Sequence, residues 1–317
     1  MTSHRIEGAV EAYLEERRRL GFELRIAGAQ LMHFARYADA RGHHGPLTLD
    51  LQQDWARARG TTPLTWARRI EIVRPFAIYY RQFEPETSVP DPATFGRGHR
   101  RLVPHIYTEQ EICDLLDEAD RLAPRRGLRP ATYRTLFGLI AASGLRLSEA
   151  LRLHDADVDL RAGTLTVGKT KFRKSRLLPL HPTTVEALDS YRRMRDQQVS
   201  RHGELSFFVS PAGRRLPSRT VHEVFVGLRT RLGWVARGDH RHPRIHDLRH
   251  TFAVRRVQRW HQEGLRIDQG TFLLSTYLGH AKISDTYWYL TGVPELLALV
   301  GTQFERFAQA AGEVHDA

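Results

Sequence analysis

The stretch HDLRHTFAVRR, His246–Arg256, places two histidines and an arginine within five positions, directly ahead of an apolar run. Residues three apart share one face of a helix, so His246 and Arg249 are expected on the same side. An imidazole and a guanidinium at a helix start suit a phosphate, because the helix end adds partial positive charge. We therefore predict a helix that begins near His246, with its polar face against a phosphate. Its anchoring residues would be Leu248, Phe252, Ala253 and Val257.

Two other interpretations of this stretch remain open at this point. The histidines could be capping or core residues whose hydrogen bonds are met inside the protein. His246 and His250 also have the four-residue spacing of a zinc pair. The glutamate of the metalloprotease helix is absent between them, and no third ligand is obvious. We therefore predict no metal here.

Composition limits the class of protein. The chain has 317 residues, 41% of them hydrophobic, with a formal net charge of +12 and a pI of about 10.3. This excess of positive charge favours a polyanionic partner such as nucleic acid, although an arginine-rich proteome would produce a similar value. A single cysteine, Cys113, excludes an intramolecular disulfide. No membrane span or export signal is apparent, so we expect a cytoplasmic protein.

The chain reads as two domains joined by a linker. Residues 1–83 carry several amphipathic patterns and predict a bundle of four or five helices, one of them capped by Thr62 ahead of Pro63. Residues 84–104 hold four prolines and two glycines and are assigned to the linker. Residues 105–317 predict a mostly helical domain with a small β-sheet.

Local signals divide the second domain further. Thr108 and Glu111 form a capping box ahead of a helix, and Gly144 is placed to end the next one. GTLTVGKTKFRKSRLLPL, residues 163–180, alternates on both sides of a polar centre and predicts a β-hairpin with a long basic turn. Helices are expected at about 183–199 and 218–232, with a short strand, FFVS, at 207–210 between them.

Three further stretches of this domain carry reactive side chains. SGLRLSEALRL, residues 143–153, offers Arg146 in a helix connection, Ser148 as a helix cap and Glu149 in the first turn. LGHAKISDTYWYLTG, residues 278–292, brings a histidine and two tyrosines. The hairpin turn is rich in cations: Lys169, Lys171, Arg173, Lys174 and Arg176. Taken alone, each stretch also fits an ordinary surface or core role.

Taken together, these stretches supply two arginines, a lysine, two histidines and a tyrosine. No carboxylate pair for metal-assisted nuclease chemistry accompanies them, and the ATP-binding pattern GxxxxGK[ST] does not occur. Two guanidiniums can neutralise a pentacoordinate phosphate, the role that metal ions have elsewhere. A tyrosine can act as the nucleophile while lysine and histidine transfer protons. The set therefore predicts phosphoryl transfer without a metal or nucleotide cofactor.

The order Arg, Lys, His-x-x-Arg, His, Tyr resembles the active site of the tyrosine recombinase (phage integrase) family, over essentially the whole chain. SGLRLSEALRL resembles the family's first arginine box, HDLRHTFA its second, and LGHAKISDTYWY its LGH…Y segment. Residues 1–83 resemble the helical, SAM-like core-binding domain. The resemblance implies that this domain and the catalytic domain form a C-shaped clamp around DNA.

The resemblance also implies a role for each residue. Arg146, Arg249 and His280 would bind the scissile phosphate, and His246 would contact it and accept the proton of the nucleophile. Tyr289 would be that nucleophile, because the family's tyrosine lies nine residues after the LGH histidine; Tyr287 is the alternative. Lys171 would be the general acid, with Lys169 as its alternative. Glu149 and His250 would be supporting residues. The candidates for DNA binding are Lys169, Arg173, Lys174, Arg176, Arg100 and Arg101.

The expected activity is site-specific recombination through a 3′-phosphotyrosyl intermediate. The partner would be double-stranded DNA with a specific site. The protein would be a monomer in solution and would form a homotetramer on the DNA. In the cell it would be associated with the nucleoid. A type IB topoisomerase, a telomere resolvase and an inactive DNA-binding protein are the alternatives. The apolar face of the tail, 294–317, is expected to dock on a neighbouring protomer or on its own domain.

Overall fold

A computed structural model describes residues 6–58, 60, 62–96, 98, 101–168, 175–200, 203–265, 267–280 and 282–292, without the side chains of 267–269 and 289–292. The predicted fold class, mostly helical with a small β-sheet, is confirmed. The chain separates into two compact units, Met1–Arg101 and Leu102–Ala317. Among the residues described, no helix combines the length and apolarity that crossing a membrane requires.

The described part of the first unit contains four helices around one core. They are α1 (Ile6–Arg19), α2 (Arg25–Asp39), α3 (Leu49–Arg57) and α4 (Pro63–Tyr80). The predicted cap of α4 is confirmed, because the Thr62 hydroxyl accepts a hydrogen bond from the Thr65 N–H at 3.3 Å. Trp55 and Phe34 are fully buried at the centre of the bundle and meet edge to face.

Much of the proline-rich segment assigned to the linker packs against the first unit. The Leu47 N–H donates to the Thr87 hydroxyl at 3.2 Å, and the Gln52 amide donates to the Ser88 carbonyl at 2.8 Å. Val89 and Phe95 pack against the core of the bundle. The boundary between the units falls between Arg101 and Leu102, inside the predicted 84–104 segment but near its end.

The second unit begins its helices after this boundary. Its elements are α5 (Glu109–Asp120), α6 (Leu128–Ser143), α7 (Leu147–Ala150), a 3-10 turn (Asp155–Asp157), β1 (Val158–Asp159), β2 (Thr164–Val167), β3 (Arg176–Pro179), α8 (Pro182–Gln198), α9 (Ser218–Arg231), α10 (Ile245–Gln262), α11 (Ile267–Leu278) and α12 (Ser284–Gly292). The predicted capping box at Thr108 and Glu111 is confirmed, with hydrogen bonds in both directions at 3.1 and 2.7 Å.

The predicted β-hairpin is confirmed and gains a third strand. The sheet has the antiparallel order β1-β2-β3, and Val167 pairs with Arg176 at the end nearest the basic turn. The predicted strand at 207–210 is wrong. Its residues form only isolated bridges, such as Val209 with Arg215, and are held by single bonds such as Phe207 N–H to the Leu153 carbonyl at 2.7 Å. Burial of Phe207 and Phe208 in the core explains the apolar run that resembled a strand.

Gly144 ends α6 in the left-handed conformation, as predicted, with φ of 64°. A Cβ at this position would lie 2.5 Å from Phe252 Cδ1. We expect Gly144→Ala to lower the free energy of unfolding by about 2–4 kcal/mol, from backbone strain and overpacking together. Urea denaturation followed by circular dichroism measures this loss.

The matched control for this substitution is Gly233→Ala. Gly233 has the same φ of 64° but no atom within 4 Å of an added Cβ, so only the backbone cost of about 1 kcal/mol applies. Equal losses in the two variants would show that contact with Phe252 contributes nothing.

Candidate active site

Helix α10 begins at Ile245, beside the predicted His246, and a buried carboxylate caps it. The Arg244 N–H donates to Asp247 Oδ2 at 2.8 Å, and Arg244 Nη2 donates to Oδ1 at 2.6 Å. Asp247 is fully buried and caps the helix. Three of the predicted anchors, Leu248, Ala253 and Val257, are buried below, and Phe252 is partly buried.

Arg249 connects three stretches that are distant in sequence. Its side chain is 1% exposed, and Nη1 donates to the Gly144 carbonyl at 2.7 Å while Nη2 donates to the Leu278 carbonyl at 2.8 Å. These two carbonyls lie at the C-terminal ends of α6 and α11. One planar guanidinium therefore holds the SGLR, HDLRH and LGH stretches together.

Glu149 lies at the centre of an arginine cluster. The carboxylate accepts the Arg146 N–H at 3.0 Å and Arg146 Nη1 at 2.9 Å, so it caps α7 in place of the predicted Ser148. Arg176 adds a forked pair at 2.9 and 3.3 Å, and Arg249 Nη1 is 3.9 Å away. Burial raises the pKa of Glu149, but the hydrogen bonds from the Arg176 side chain and the Arg146 N–H, with the charges of both arginines, outweigh it and lower the pKa to about 2.

Cations outnumber carboxylates in this cluster, as far as the structure describes it. Three guanidiniums, those of Arg146, Arg176 and Arg249, lie around the single carboxylate of Glu149. The Arg146 side chain is 35% exposed, whereas those of Arg176 and Arg249 are 11% and 1% exposed. Arg146 is therefore the cation through which solvent, or an anion, reaches the cluster.

His246 and His250 pack against each other at the start of α10. Their rings meet edge to face at 4.6 Å between centroids, and His250 also contacts Trp288 of α12. His246 is exposed at the surface; desolvation by the surrounding protein, then the charges of Arg249 and Arg244, lower its pKa to about 4. Desolvation likewise holds the pKa of His250 well below its ordinary value. His246 is thus neutral at pH 7 and can accept a proton.

His280 directly follows the glycine that ends α11. Gly279 has φ of 66°, and the His280 N–H donates to the Ser275 carbonyl at 3.0 Å. Its Nδ1 lies 2.6 Å from the Thr286 hydroxyl. Desolvation, then the charges of Arg249 and Arg146, lower the pKa of His280 to about 4. His280 therefore lies within electrostatic range of both arginines.

Arg176 lies in a different place from the one that the sequence predicted. The sequence placed it in a basic turn as a DNA-binding candidate, but it starts β3 and its buried side chain pairs with Glu149. A Cβ on Gly279 would lie 2.7 Å from Arg176 Nη1, so the guanidinium also adjoins the LGH turn. Strand alternation could have revealed this position, because Arg176 shares a face with the buried Leu178 while Leu177 is 63% exposed.

Several predicted site residues are not placed. Lys169, Lys171, Arg173, Lys174 and Arg100 lie outside the described residues, and so does the side chain of Tyr289, whose backbone belongs to α12. Tyr287 is 40% exposed on the same helix. Arg101 is exposed at the end of the first unit. Within the described residues, no group of three or more His, Cys, Asp or Glu side chains is arranged to hold a metal.

Comparison with known proteins decides the family. The profile of the phage integrase family matches residues 106–293. The chain belongs to the phage integrase family. The chain is 39% identical to the putative integrase/recombinase y4rB of Sinorhizobium fredii, over 94% of this chain and 96% of the relative. It is 30% identical to the tyrosine recombinase XerC of Erythrobacter litoralis, covering 79% and 76%. The resemblance to the tyrosine recombinases, enzymes of site-specific recombination, is thereby confirmed.

Solved structures agree with this fold. The integrase of transposon Tn1549, in complex with circular intermediate DNA, superimposes with a TM-score of 0.64 at 15% identity. The match covers 89% of the chain described here and 94% of the Tn1549 integrase chain. The XerH site-specific recombinase, bound to a palindromic difH substrate, superimposes with a TM-score of 0.66 at 18% identity, covering 94% and 85%. The second unit therefore has the fold of a tyrosine recombinase catalytic domain.

We expect the recombinase to lose stability as pH falls from 7 to 5. The pKa of both His246 and His280 is about 4 in the folded state, against about 6.5 in the unfolded chain. Between these values the unfolded state binds more protons, so acid favours it. Glu149 affects stability at a lower pH. Because its pKa is about 2 in the folded state, its ionised carboxylate stabilises the fold fully above pH 4.5, and this contribution disappears as pH falls towards 2.

Urea midpoints between pH 7.5 and 5 measure this loss. The double variant His246→Gln/His280→Gln should depend less steeply on pH over that range. An identical slope in the variant and the wild type would exclude these histidines as the cause.

Proposed function

We propose that this recombinase cleaves and rejoins DNA through a 3′-phosphotyrosyl bond to Tyr289. The observation that carries the proposal is the position of Arg249, whose two hydrogen bonds join the stretches bearing Arg146 and His280. The relatives named as integrases and as XerC recombinases support the same reaction class. ATP would not be required, since the covalent bond conserves the energy of the cleaved phosphodiester, and the two arginines would take the charge-stabilising role of a metal ion.

Arg146, Arg249 and His280 would bind the scissile phosphate. The guanidiniums gathered around Glu149 would stabilise the negative charge that develops on a pentacoordinate phosphate. Arg146 would leave or share its ion pair with Glu149 when the phosphate arrives, because it is the exposed member of the cluster. Arg176 would remain with Glu149 and keep that carboxylate from repelling the substrate.

In this proposal the phenol oxygen of Tyr289 attacks phosphorus and forms the P–O bond, while the bond to the 5′ oxygen breaks. Neutral His246 accepts the phenol proton, and Lys171 donates one to the leaving 5′-hydroxyl. Position 289 lies one turn after Thr286, which contacts His280, whereas Tyr287 is exposed on another side of α12. These positions favour Tyr289 over Tyr287.

The partner would be duplex DNA with a specific site, by analogy with the DNA complexes named for the Tn1549 integrase and XerH. A net charge of +12 suits such a polyanion. Lys169, Arg173, Lys174, Arg100 and Arg101 remain the proposed DNA contacts. The C-shaped clamp, the tetramer on DNA formed from monomers, and a nucleoid-associated location in the cytoplasm also remain predictions.

A selection for covalent adducts tests the proposal and finds the target sequence in the same experiment. The purified protein is incubated in EDTA, without nucleotide, with nicked duplexes that carry a randomised interior. Because of the nick, the short strand that carries the new 5′-hydroxyl diffuses away after cleavage, and the covalent intermediate is trapped. We expect SDS-resistant adducts that contain an enriched DNA sequence. Mass spectrometry should find a nucleotide linked through its 3′ phosphate to Tyr289. An absence of adducts, or adducts on Tyr287, would refute the proposal; plasmid relaxation without exchange between enriched sites would indicate a topoisomerase.

Lys171→Ala is expected to slow cleavage by about 10²–10⁴-fold, because the leaving oxygen loses its proton donor. A substrate with a 5′-bridging sulfur at the cleaved bond should restore the rate, since a thiolate leaves without a proton. Gel assays of adduct formation on the enriched sequence measure both rates. Lys169→Ala is the matched control; if sulfur rescued that variant and not Lys171→Ala, the acid would be Lys169.

A further inference from the structure

Thr286 directs its hydroxyl at the ring of His280. The distance from Oγ1 to His280 Nδ1 is 2.6 Å, and Thr286 is 1% exposed. Thr286 belongs to the first turn of α12, where its N–H bonds the Ile283 carbonyl. Its side chain thus connects α12, the helix that carries Tyr289, to the histidine after α11.

Four other helical threonines donate their hydroxyls to the carbonyl four residues earlier, a common way for a helical threonine to satisfy its O–H. These are Thr132, Thr230, Thr251 and Thr276. Thr183, in the first turn of α8, instead lies 2.9 Å from Nδ1 of the exposed His181. For Thr286, the hydroxyl partner that the structure gives is the imidazole of His280.

A threonine hydroxyl can donate or accept, so the direction of this hydrogen bond corresponds to one or the other tautomer of His280. A neutral imidazole has one N–H, and the nitrogen without it accepts. If Thr286 donates to Nδ1, the proton sits on Nε2, which can then donate to a phosphate oxygen. In the other tautomer Nε2 would present a lone pair to that oxygen, and the two would repel.

From these contacts we infer that Thr286 is a positioning residue for His280, one that holds the ring in the Nε2–H tautomer and links its orientation to the seating of α12. The inference rests on the proposed function, because it assigns a donor to the phosphate contact of His280. Histidines bound to metals have comparable second hydrogen bonds, whose loss typically costs 10–100-fold.

Two variants of the full-length chain separate the hydroxyl from the shape of the side chain. Thr286→Val keeps the shape and removes the donor, and should slow adduct formation on saturating enriched DNA by about tenfold, with DNA affinity changed less than twofold. Thr286→Ser keeps the donor and should stay within about twofold of the wild type. Thr276→Val is the matched control, because that exposed hydroxyl bonds only the Phe272 carbonyl of its own helix among the contacts found.

A second readout does not depend on recombination. In protein labelled with ¹⁵N-histidine, long-range ¹H–¹⁵N spectra distinguish the two tautomers, and His280→Gln assigns the signals. We expect Nε2–H for His280 in the wild type and in Thr286→Ser, and a mixture in Thr286→Val. An Nδ1–H ring in the wild type, a Val variant that cleaves as fast as wild type, or a Ser variant as slow as Val would overturn the inference. If wild type formed no adduct, the proposed function would fail while the spectra still decided the role of Thr286.

Discussion

Tyr289→Phe is expected to abolish covalent adduct formation, by a factor of 10⁴ or more, to an order of magnitude. The substitution removes only the oxygen that would attack phosphorus, so the phosphate-binding arginines and the fold are retained. Adducts with the enriched duplex are counted on denaturing gels, and non-covalent binding is measured by fluorescence anisotropy. We expect the Phe variant to bind DNA as the wild type does.

Tyr287→Phe is the matched control for that result, on the same helix two residues earlier. Tyr287 is 40% exposed, and its loss should leave the adduct yield unchanged. If Tyr287→Phe alone failed to form adducts, the nucleophile would have been assigned to the wrong tyrosine. If both variants formed adducts, another residue would be the nucleophile.

Arg249→Lys is expected to slow cleavage by about 10²–10³-fold, although the positive charge is retained. A lysine cannot reproduce the planar fork that binds the Gly144 and Leu278 carbonyls together. One buried carbonyl would then lack its donor, so the free energy of unfolding should also fall by about 1–3 kcal/mol. Single-turnover cleavage and urea denaturation measure the two effects separately.

The control for this substitution is Arg259→Lys on the same helix. Arg259 is exposed and pairs only with Glu263 among the contacts found, so neither rate nor stability should change measurably. Cleavage by Arg249→Lys at the wild-type rate would show that charge alone suffices, and that the joining of the three stretches is unimportant for catalysis.

Local features were readable from sequence because their partners lie within one turn. The caps at Thr62 and Thr108, the left-handed stop at Gly144 and the start of α10 all depend on residues three or four positions apart. The hairpin was readable for a different reason, the alternation of its two strands on both sides of one turn. A cap is decided by close neighbours wherever the helix lies in the fold.

Errors arose where burial, rather than pattern, set the structure. The apolar run at 207–210 resembled a strand, but it fills the core and forms only isolated bridges. The proline-rich segment assigned to the linker has partners that its pattern did not indicate, because Thr87 bonds the Leu47 N–H and Val89 packs against the first bundle. An apolar or proline-rich pattern does not say which distant surface will cover it.

The amino-acid sequence alone determined the order and type of the reactive residues and the helix ends on which Arg146, His246, Arg249 and His280 lie. Only the tertiary structure decided that Arg249 spans 105 positions to Gly144, that Arg176 pairs with Glu149 instead of facing solvent, and that the Thr286 hydroxyl contacts the His280 ring. The physical reason is the range of the interactions. Capping depends on close neighbours, whereas a buried ion pair or a shared guanidinium exists only once distant segments have excluded water together.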